Sequence, residues 1–443
     1  QGTAIALFVK QKDKNGCRVY HADLFGTREK KYAWLSANKL SVKNYQLVKP
    51  ESPWYFFIPR NTKSISHFLD WKSINEIFPV NVTGIVTARD AFVIDFDKNT
   101  LRNRINQFKN KYIPDETIRE AYNLKNTRDW KLSEARDKLR DDENWETYFN
   151  KILYRPFDVR NIYYSPLMVD WGRPEVMSHM LHDNLSLCYM RQYSGDLSYT
   201  HFLVSEYIVD NRTFFSSKGI IQQAPLYLYK EKPLRKSYVQ SMILFEPEVK
   251  YGAKNRTPNI DKKLYETLNK TYHRLLFPEE ILYYIYGVFY SNIYREKYAE
   301  FLKIDFPRVP FCKNPDLFAR FSQLGEQLVE LHLLKSKWLD KPISKYQGDS
   351  ENDRIEKVFY DGNQNRIYIN PEKYFDGVQL AVWNYQIGGY QVLQKYLKDR
   401  KDRIMDDPRL YSRIISALSF TIDIQTQIDE IYSEVEKEWI ELG

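Results

Sequence analysis

Asp210, Glu248 and Lys250 are the residues whose types and order come nearest to a known catalytic pattern. "EPEVK" gives the Glu-x-Lys spacing of a metal-dependent nuclease and Asp210 precedes it. In such a site two carboxylates hold a divalent cation that activates water, and the lysine stabilises the developing negative charge. Against this, Glu246-Pro247 places a proline where the central strand of that site would have to run. His179 and His182 in "HMLHD", with Asp183 adjacent, could share one helix face toward a metal. With no third ligand nearby they read as structural, and no metal is assigned. There is no Walker A loop and no pair of glycines at Gly-x-Gly spacing, which excludes the usual phosphate cradle and dinucleotide fingerprint. Cys17, Cys188 and Cys312 are far apart and odd in number, as expected of reduced thiols rather than a disulfide framework or a CxxC zinc site. No catalytic residue is assigned.

Recognition chemistry is better represented. An arginine fork donates two bonds to guanine, Asn and Gln pair with adenine, and hydroxyls and lysines suit phosphate oxygens. Arg173 sits in "DWGRPEVM", a turn that opens a helix, where backbone donors would add to a phosphate contact. Arg191 and Gln192 end the strand "LSLCYMRQ". Asn211, Arg212, Ser216, Ser217 and Lys218 follow in the loop "NRTFFSSKG", and Lys254 and Arg256 lie further on. For each of them a solvated surface side chain is the competing explanation. In "YRPFDVR" we expect Arg155 and Asp158 to form a local ion pair, pinned by Pro156 and covered by Tyr154 and Phe157, with a structural role.

Elements must position these side chains, and 443 residues with 43% apolar and 28% charged content suffice for two or three domains. Aromatic residues reach 16%, with 35 Tyr. That excess suits large half-wet interfaces, or an A/T-rich genome. Net charge is +8. Basic residues cluster at Arg102, Arg104, Lys109 and Lys111, at Lys230, Lys232, Arg235 and Lys236, at Lys250, Lys254 and Arg256, and at Lys395, Lys398, Arg400, Lys401 and Arg403. Acidic residues gather from Asp137 to Glu146 and from Asp429 to Glu441. Such segregation fits a polyanion held on one face, and it also fits ordinary solvated helix faces. No secretory signal opens the chain and no apolar run reaches membrane-spanning length, so no membrane partner is expected and the cytoplasm is the expected compartment. The chain opens in mid-pattern with "GTAIALFVK", as a piece of a larger fold would.

The pattern predicts an α+β (mixed α/β) fold. "TAIALFV" reads as a buried strand forming a hairpin with "CRVYHADLF", "TGIVTARDAFVIDFDKN" as strand with turn, and residues 100–150 as helical. Short strands follow: "NIYYS", "LSLCYMRQ", "THFLVSEYIVD", "APLYLYK" and "SMILFEP". Helices return with "PEEILYYIYGVFYSNIYREKYAEFLK" and with "NPDLFARFSQLGEQLVELHLLKSKW", which opens on a cap-like Asn314-Pro315. A hairpin, "KVFYDGNQNRIYIN", leads to helical "VQLAVWNYQIGGYQVLQKYLKDRK" and "RIISALSFTIDIQTQIDEIYSEVEKEWI". The expected divisions are 1–50, 51–150 as linker and helical insert, 151–277 as the strand-rich domain, and 278–443 as its helical part.

Several of these stretches together resemble one family: "GTAIALFVK" with "VYHADLFGTREKK", "TGIVTARDAFVID", "YRPFDVR" followed by "RPEVMSHML" and "NLSLCYMRQ", then "IYGVFYSNIYREKYAEFLKIDFPRVPF" and "VWNYQIGGYQVLQKYLKDRK". The chain is similar to the C-terminal part of type ISP single-chain bacterial restriction-modification enzymes and of related large N6-adenine DNA methyltransferases. The resemblance implies that residues 1–50 are the last strands of a Rossmann-like methyltransferase domain and that the rest is a target recognition domain with helical support. It implies sequence-specific double-stranded DNA as partner, alongside methyltransferase, helicase and nuclease domains of the same enzyme. S-adenosylmethionine, ATP and Mg2+ would serve those domains. This chain has no glycine-rich S-adenosylmethionine loop and no Asn-Pro-Pro-aromatic tetrapeptide, so no cofactor is assigned to it and it is not expected to be catalytic alone. A metal-dependent nuclease and a helical protein-interaction scaffold over residues 278–443 are the alternatives.

Overall fold

The computed structural model describes residues 5–10, 12, 16–39, 44–60, 64–193, 198–214, 219–230 and 255–442. Contacts divide the chain into two units, Gln1–Ser64 and Ile65–Gly443.

In the first unit the helix Arg28–Ala37 is capped by the Thr27 hydroxyl, which accepts the Lys30 N–H at 3.4 Å. Val19–His21 pairs antiparallel with Gln46–Val48 rather than with the apolar opening tract. Residues 5–10 lie outside any strand, and Ile5, Leu7, Phe8 and Val9 are exposed. A continuous apolar strand needs neighbours and cover on both faces. Val19–His21, the partner expected for it, is instead engaged by Gln46–Val48, so the predicted buried hairpin is not formed.

Two four-stranded sheets organise the front of the second unit. One has the order Val82–Thr83, Ile221–Pro225, Ser186–Met190, Phe202–Ser205. The other has the order Ile208–Val209, Phe149–Arg155, Asp158–Tyr163, Ile94–Asp95. The expected strand "AFVID" is split, because Asp90–Val93 forms a helical turn before Ile94–Asp95. The predicted helical stretch contains Lys98–Lys109, Asp115–Tyr122 and Leu132–Arg140. Lys98–Lys109 starts on Asp97, whose carboxylate accepts the Thr100 N–H at 2.6 Å, and buries Leu101, Ile105 and Phe108 along one face. Its far end is closed by the buried Arg136, which donates to the carbonyls of Phe108 (2.7 Å), Asn110 (2.7 Å) and Ile113 (2.8 Å) and pairs with Asp115. Phe108 is in the last turn of the helix, where carbonyls lack an intrahelical partner.

Behind the sheets, Pro278–Tyr290 crosses Pro315–His332 through Gly287 and Gly325, and the helix Pro408–Val435 packs against both. The helix predicted across residues 278–303 breaks at Ser291. Its hydroxyl accepts the Tyr294 N–H at 3.2 Å and donates to Asp429 at 2.8 Å, so a new helix starts there. A further sheet runs Lys345–Gln347, Tyr374–Asp376, Arg366–Tyr368, Phe359–Asp361, and includes the predicted hairpin. The helix predicted across "VQLAVWNYQIGGYQVLQKYLKDRK" is interrupted by a hairpin of Gln386–Ile387 and Tyr390–Gln391, turned by Gly388 at φ 63°.

Tyrosine finds its use inside. Tyr272, Tyr290, Tyr294 and Tyr411 are buried and donate to the carbonyls of Cys312 (2.7 Å), Phe202 (3.0 Å), Arg308 (2.7 Å) and Leu393 (2.9 Å). Each ring fills apolar volume while its hydroxyl donates to a backbone carbonyl, which phenylalanine cannot do. For these tyrosines the expected half-wet interface is replaced by a dry, hydrogen-bonded core.

Candidate nucleic-acid interface

Residues 82–86 form the seam where the two front sheets meet. Val82–Thr83 pairs with Ile221–Pro225, the Gly84 N–H donates to Ile221 O at 3.0 Å, and the Ile85 N–H donates to Val209 O at 2.9 Å. Asn211 N–H returns a bond to Ile85 O at 3.0 Å, while Val86 and Trp171 exchange bonds at 3.1 and 3.0 Å. The approach is close at Gly84, where an added Cβ would lie 2.8 Å from the backbone of Asn211.

This seam gathers four of the sequence-predicted residues at one end of the first sheet. Met190 pairs with Ile221, so Arg191 and Gln192 leave the sheet beside the entry of Gly219. An added Cβ on Gly219 would sit 2.8 Å from Gln192 O. Asn211 O accepts the Ile221 N–H at 3.4 Å and Arg212 Nη1 donates to Gly219 O at 3.4 Å. Arg191 is exposed, its guanidinium 5.3 Å over Phe306 and its Nε 3.7 Å from Asp305. Ser216, Ser217 and Lys218 lie outside the described residues.

Asp210 anchors this edge. Its Oδ1 accepts Arg155 Nη1 at 2.7 Å and the Arg212 backbone N–H at 3.0 Å, and the residue is 3% exposed. Burial pushes its carboxyl up to about 6, with Arg155 pulling the other way and Asp90 adding to the rise. The carboxylate that the nuclease pattern would offer to a metal is thus committed to a buried ion pair. Glu248 and Lys250 lie outside the described residues, as do Lys232, Arg235, Lys236 and Lys254.

The expected local pair of Arg155 and Asp158 is replaced by pairs with other residues. Arg155 reaches Asp210, while the fully buried Asp158 accepts Arg160 at 2.6 Å and Arg400 at 2.6 Å. Burial works to raise the Asp158 carboxyl, but Arg400 and Arg160 overcome it and hold it below its usual range. Arg155 and Asp158 face each other across the hairpin Pro156-Phe157, in which Phe157 takes φ 61°. Positive φ is strained for a phenylalanine, and its ring is held down in the core against His332, 5.8 Å away.

Arg173 also differs from expectation. The helix it opens, Pro174–Met177, is one turn long, and the N–H groups of Val176 and Met177 close onto Arg173 O at 3.2 and 2.9 Å. The donors of Val176 and Met177 are therefore spent within the turn. The Arg173 guanidinium instead lies 5.4 Å from the ring centre of Trp171, an exposed residue that the sequence reasoning passed over although "DWGRP" marks a turn. Arg256 belongs to the other end of the sheet, beyond Pro225, where it covers Tyr227 at 3.9 Å. His179 Nδ1 accepts the Tyr229 N–H at 3.1 Å and His182 stacks on the Tyr229 ring at 4.4 Å, and among the described residues no His, Cys, Asp and Glu cluster could hold a metal.

The charge clusters are partly spent internally. Arg102 pairs with Glu146 and Arg104 with Asp95, and Lys109 lies 4.2 Å from the Trp145 ring centre. The basic and acidic runs of residues 102–146 therefore meet each other instead of segregating. Arg160, Arg400 and Arg403 surround the ring of Phe96 at 4.1, 4.6 and 4.4 Å.

A family model, the type ISP C-terminal specificity domain, matches residues 76–424. A search of curated protein sequences finds no match. Among solved structures, a nuclease-deletion mutant of the type ISP restriction-modification enzyme LlaGI in complex with a DNA substrate mimic is 19% identical with a TM-score of 0.62, over 94% of this chain and 33% of that one. The ATP-dependent type ISP restriction-modification enzyme LlaBIII bound to DNA is 21% identical with a TM-score of 0.63, over 87% of this chain and 25% of that one. The DrdV–DNA complex is 18% identical with a TM-score of 0.67, over 93% of this chain and 43% of that one. The chain thus spans a third or less of the LlaGI and LlaBIII chains, and the likeness carries the mixed helix-and-strand fold. Among the described residues no helix is long and apolar enough to cross a membrane.

Proposed function

The chain belongs to the type ISP C-terminal specificity domain family, and from that premise we propose that it recognises a specific double-stranded DNA sequence for a bacterial restriction-modification enzyme. Adenine-N6 methylation and cleavage are the work of methyltransferase, helicase and nuclease parts outside this chain, with S-adenosylmethionine, ATP and Mg2+ serving those parts. The observation that carries the proposal is the convergence of Arg191, Gln192, Asn211 and Arg212 on one end of one sheet, joined by the seam at Gly84 and Ile85. Scattered through the sequence, they form one edge with the donors needed for guanine and adenine. The similar LlaGI, LlaBIII and DrdV structures each hold DNA or a DNA mimic, which supports a duplex as the ligand.

Fluorescence anisotropy with duplexes selected from a random pool tests this. The wild-type chain prefers one sequence family, and Arg191→Ala or Arg212→Ala lowers that preference by about 1–3 kcal/mol where the arginine reads a base. Where it holds phosphate instead, all duplexes weaken alike and the salt dependence flattens. If neither substitution changes affinity or preference, these residue assignments fall. A chain that ignores every duplex at low salt removes the proposal itself and favours a protein-docking role for residues 278–443.

A further inference from the structure

From the setting of one exposed indole, and resting on the DNA-recognition reading above, we infer that Trp171 is a stacking residue for a base that has left the helical stack of the bound duplex. Trp171 is 59% exposed, more than any other tryptophan among the described residues. Its backbone is nevertheless held on both polar groups: the N–H donates to Val86 O at 3.0 Å and the carbonyl accepts the Val86 N–H at 3.1 Å. The next carbonyl, Gly172 O, accepts the Tyr164 hydroxyl. The ring therefore projects from a fixed strip and not from a loose loop. That strip is the seam itself, since Val86 follows Ile85, whose carbonyl holds Asn211. Adjacent strands lie about 5 Å apart, so Trp171 stands within two strand spacings of the proposed reading edge.

The charges around the indole suit a nucleic acid. Arg173, at φ 56°, sets its guanidinium 5.4 Å from the ring centre, and its Nε is buried with no partner among the described residues. The preceding carboxylate, Asp170, is neutralised by Arg89 at 2.7 Å, and Arg89 is itself buried over Trp130 at 3.9 Å. Glu175 is the neighbouring acid, exposed one turn on. A rigid π-face beside a cation is the pairing that holds unstacked bases, which present a face of their own whatever their identity. Arg173 then sits where the phosphate of the same nucleotide would pass.

The test is to compare the wild-type chain with Trp171→Ala and Trp171→Phe, using duplexes that carry 2-aminopurine at successive positions of the selected site. Wild-type binding changes 2-aminopurine fluorescence at one position as that base exchanges its neighbours in the duplex for the indole. Trp171→Ala loses the signal and binds about 10-fold more weakly, with an unchanged salt slope, because no phosphate contact is removed. A mismatch at that position recovers part of the lost affinity by making unstacking cheaper. Trp171→Phe keeps a π-face and retains most of both effects, whereas Trp171→Leu, bulky and apolar but without a π-face, loses both and decides the matter should the alanine variant fold poorly. A folded Trp171→Ala or Trp171→Leu that binds within twofold of wild type with the same fluorescence change overturns this inference alone. A wild-type chain that binds no duplex overturns it together with the recognition reading.

Discussion

His201 is a residue that this fold keeps neutral. It is fully buried between Tyr193 and Tyr199, 4.3 and 5.0 Å away, with Phe214 edge-on, and neither ring nitrogen has a partner among the described residues. Burial, with Arg295 adding to it, pushes its pKa down to about 3, and His332 is lowered to about 3 by the same causes. A histidine depressed in the folded state contributes stability that is complete above pH 6.5 and is lost as the pH falls below it. By pH 5 the loss is about 2 kcal/mol per histidine. Asp210, raised to about 6 in the fold, acts in the opposite sense and returns roughly 1 kcal/mol over the same interval. We therefore expect the melting temperature to fall from pH 7.5 to pH 5, and His201→Phe to make that fall clearly shallower. Equal slopes for variant and wild type would refute the account. Little of this was legible beforehand, because the determinants are contacts between residues distant in the chain. "YRPFDVR" correctly marks Arg155 and Asp158 as buried, yet Asp158 takes Arg400 from 242 residues away.

Elements were more legible than their meetings. The apolar periodicity of "PEEILYYIYGVFY" and "PDLFARFSQLGEQLVELH" gives helices at Pro278–Tyr290 and Pro315–His332, but a glycine inside such a pattern reads only as a weak helical position. Its purpose appears when the two helices cross. A Cβ on Gly325 would lie 1.8 Å from Tyr283 O and one on Gly287 would lie 2.9 Å from Phe321 O. These are backbone atoms of the partner helix, which cannot swing aside as a side chain can. Gly325→Ala should therefore destabilise by about 3 kcal/mol or more, the upper end for overpacking, despite alanine's better helix propensity. Gly362→Ala is the control, since its Cβ would meet only Tyr360 Cε1 at 3.6 Å, and should change stability by less than about 0.5 kcal/mol. Urea titrations of both variants check the pair, and a Gly325→Ala midpoint equal to wild type would contradict the crossing. Element boundaries escaped the sequence for a related reason. The break at Ser291 depends on Asp429, and the hairpin at Gly388 on two glycines that also suit a helix end.

At the scale of the whole molecule, the count of 66 lysines and arginines overstates the cations a duplex would meet. Arg104, Arg136, Arg155, Arg160 and Arg400 are held by Asp95, Asp115, Asp210 and Asp158. Lys297 is paired with Glu436 and Lys335 with Glu206 on the surface. Composition alone could not reveal this, because Lys335 and Glu206 are 129 residues apart. A mixed fold could be read from periodicity and resemblance, whereas a footprint on DNA depends on which cations the duplex would face. If that footprint is the sheet end, it is small: Arg173, Arg191 and Arg212, with Lys218, a candidate from the sequence that lies outside the described residues. Each phosphate neutralised contributes roughly −0.9 to the slope of log K against log salt, so a footprint of this size predicts about −3 to −4. A chain that used all its basic clusters on one polyanion face would give a slope about four times as steep. Titrating binding from low to physiological salt separates the two. Arg173→Ala should flatten the slope by about 1. Lys398→Gln combined with Lys401→Gln, both exposed in the C-terminal basic cluster, should leave it unchanged. A steep wild-type slope that the double lysine variant flattens would move the footprint from the sheet end to the C-terminal helices.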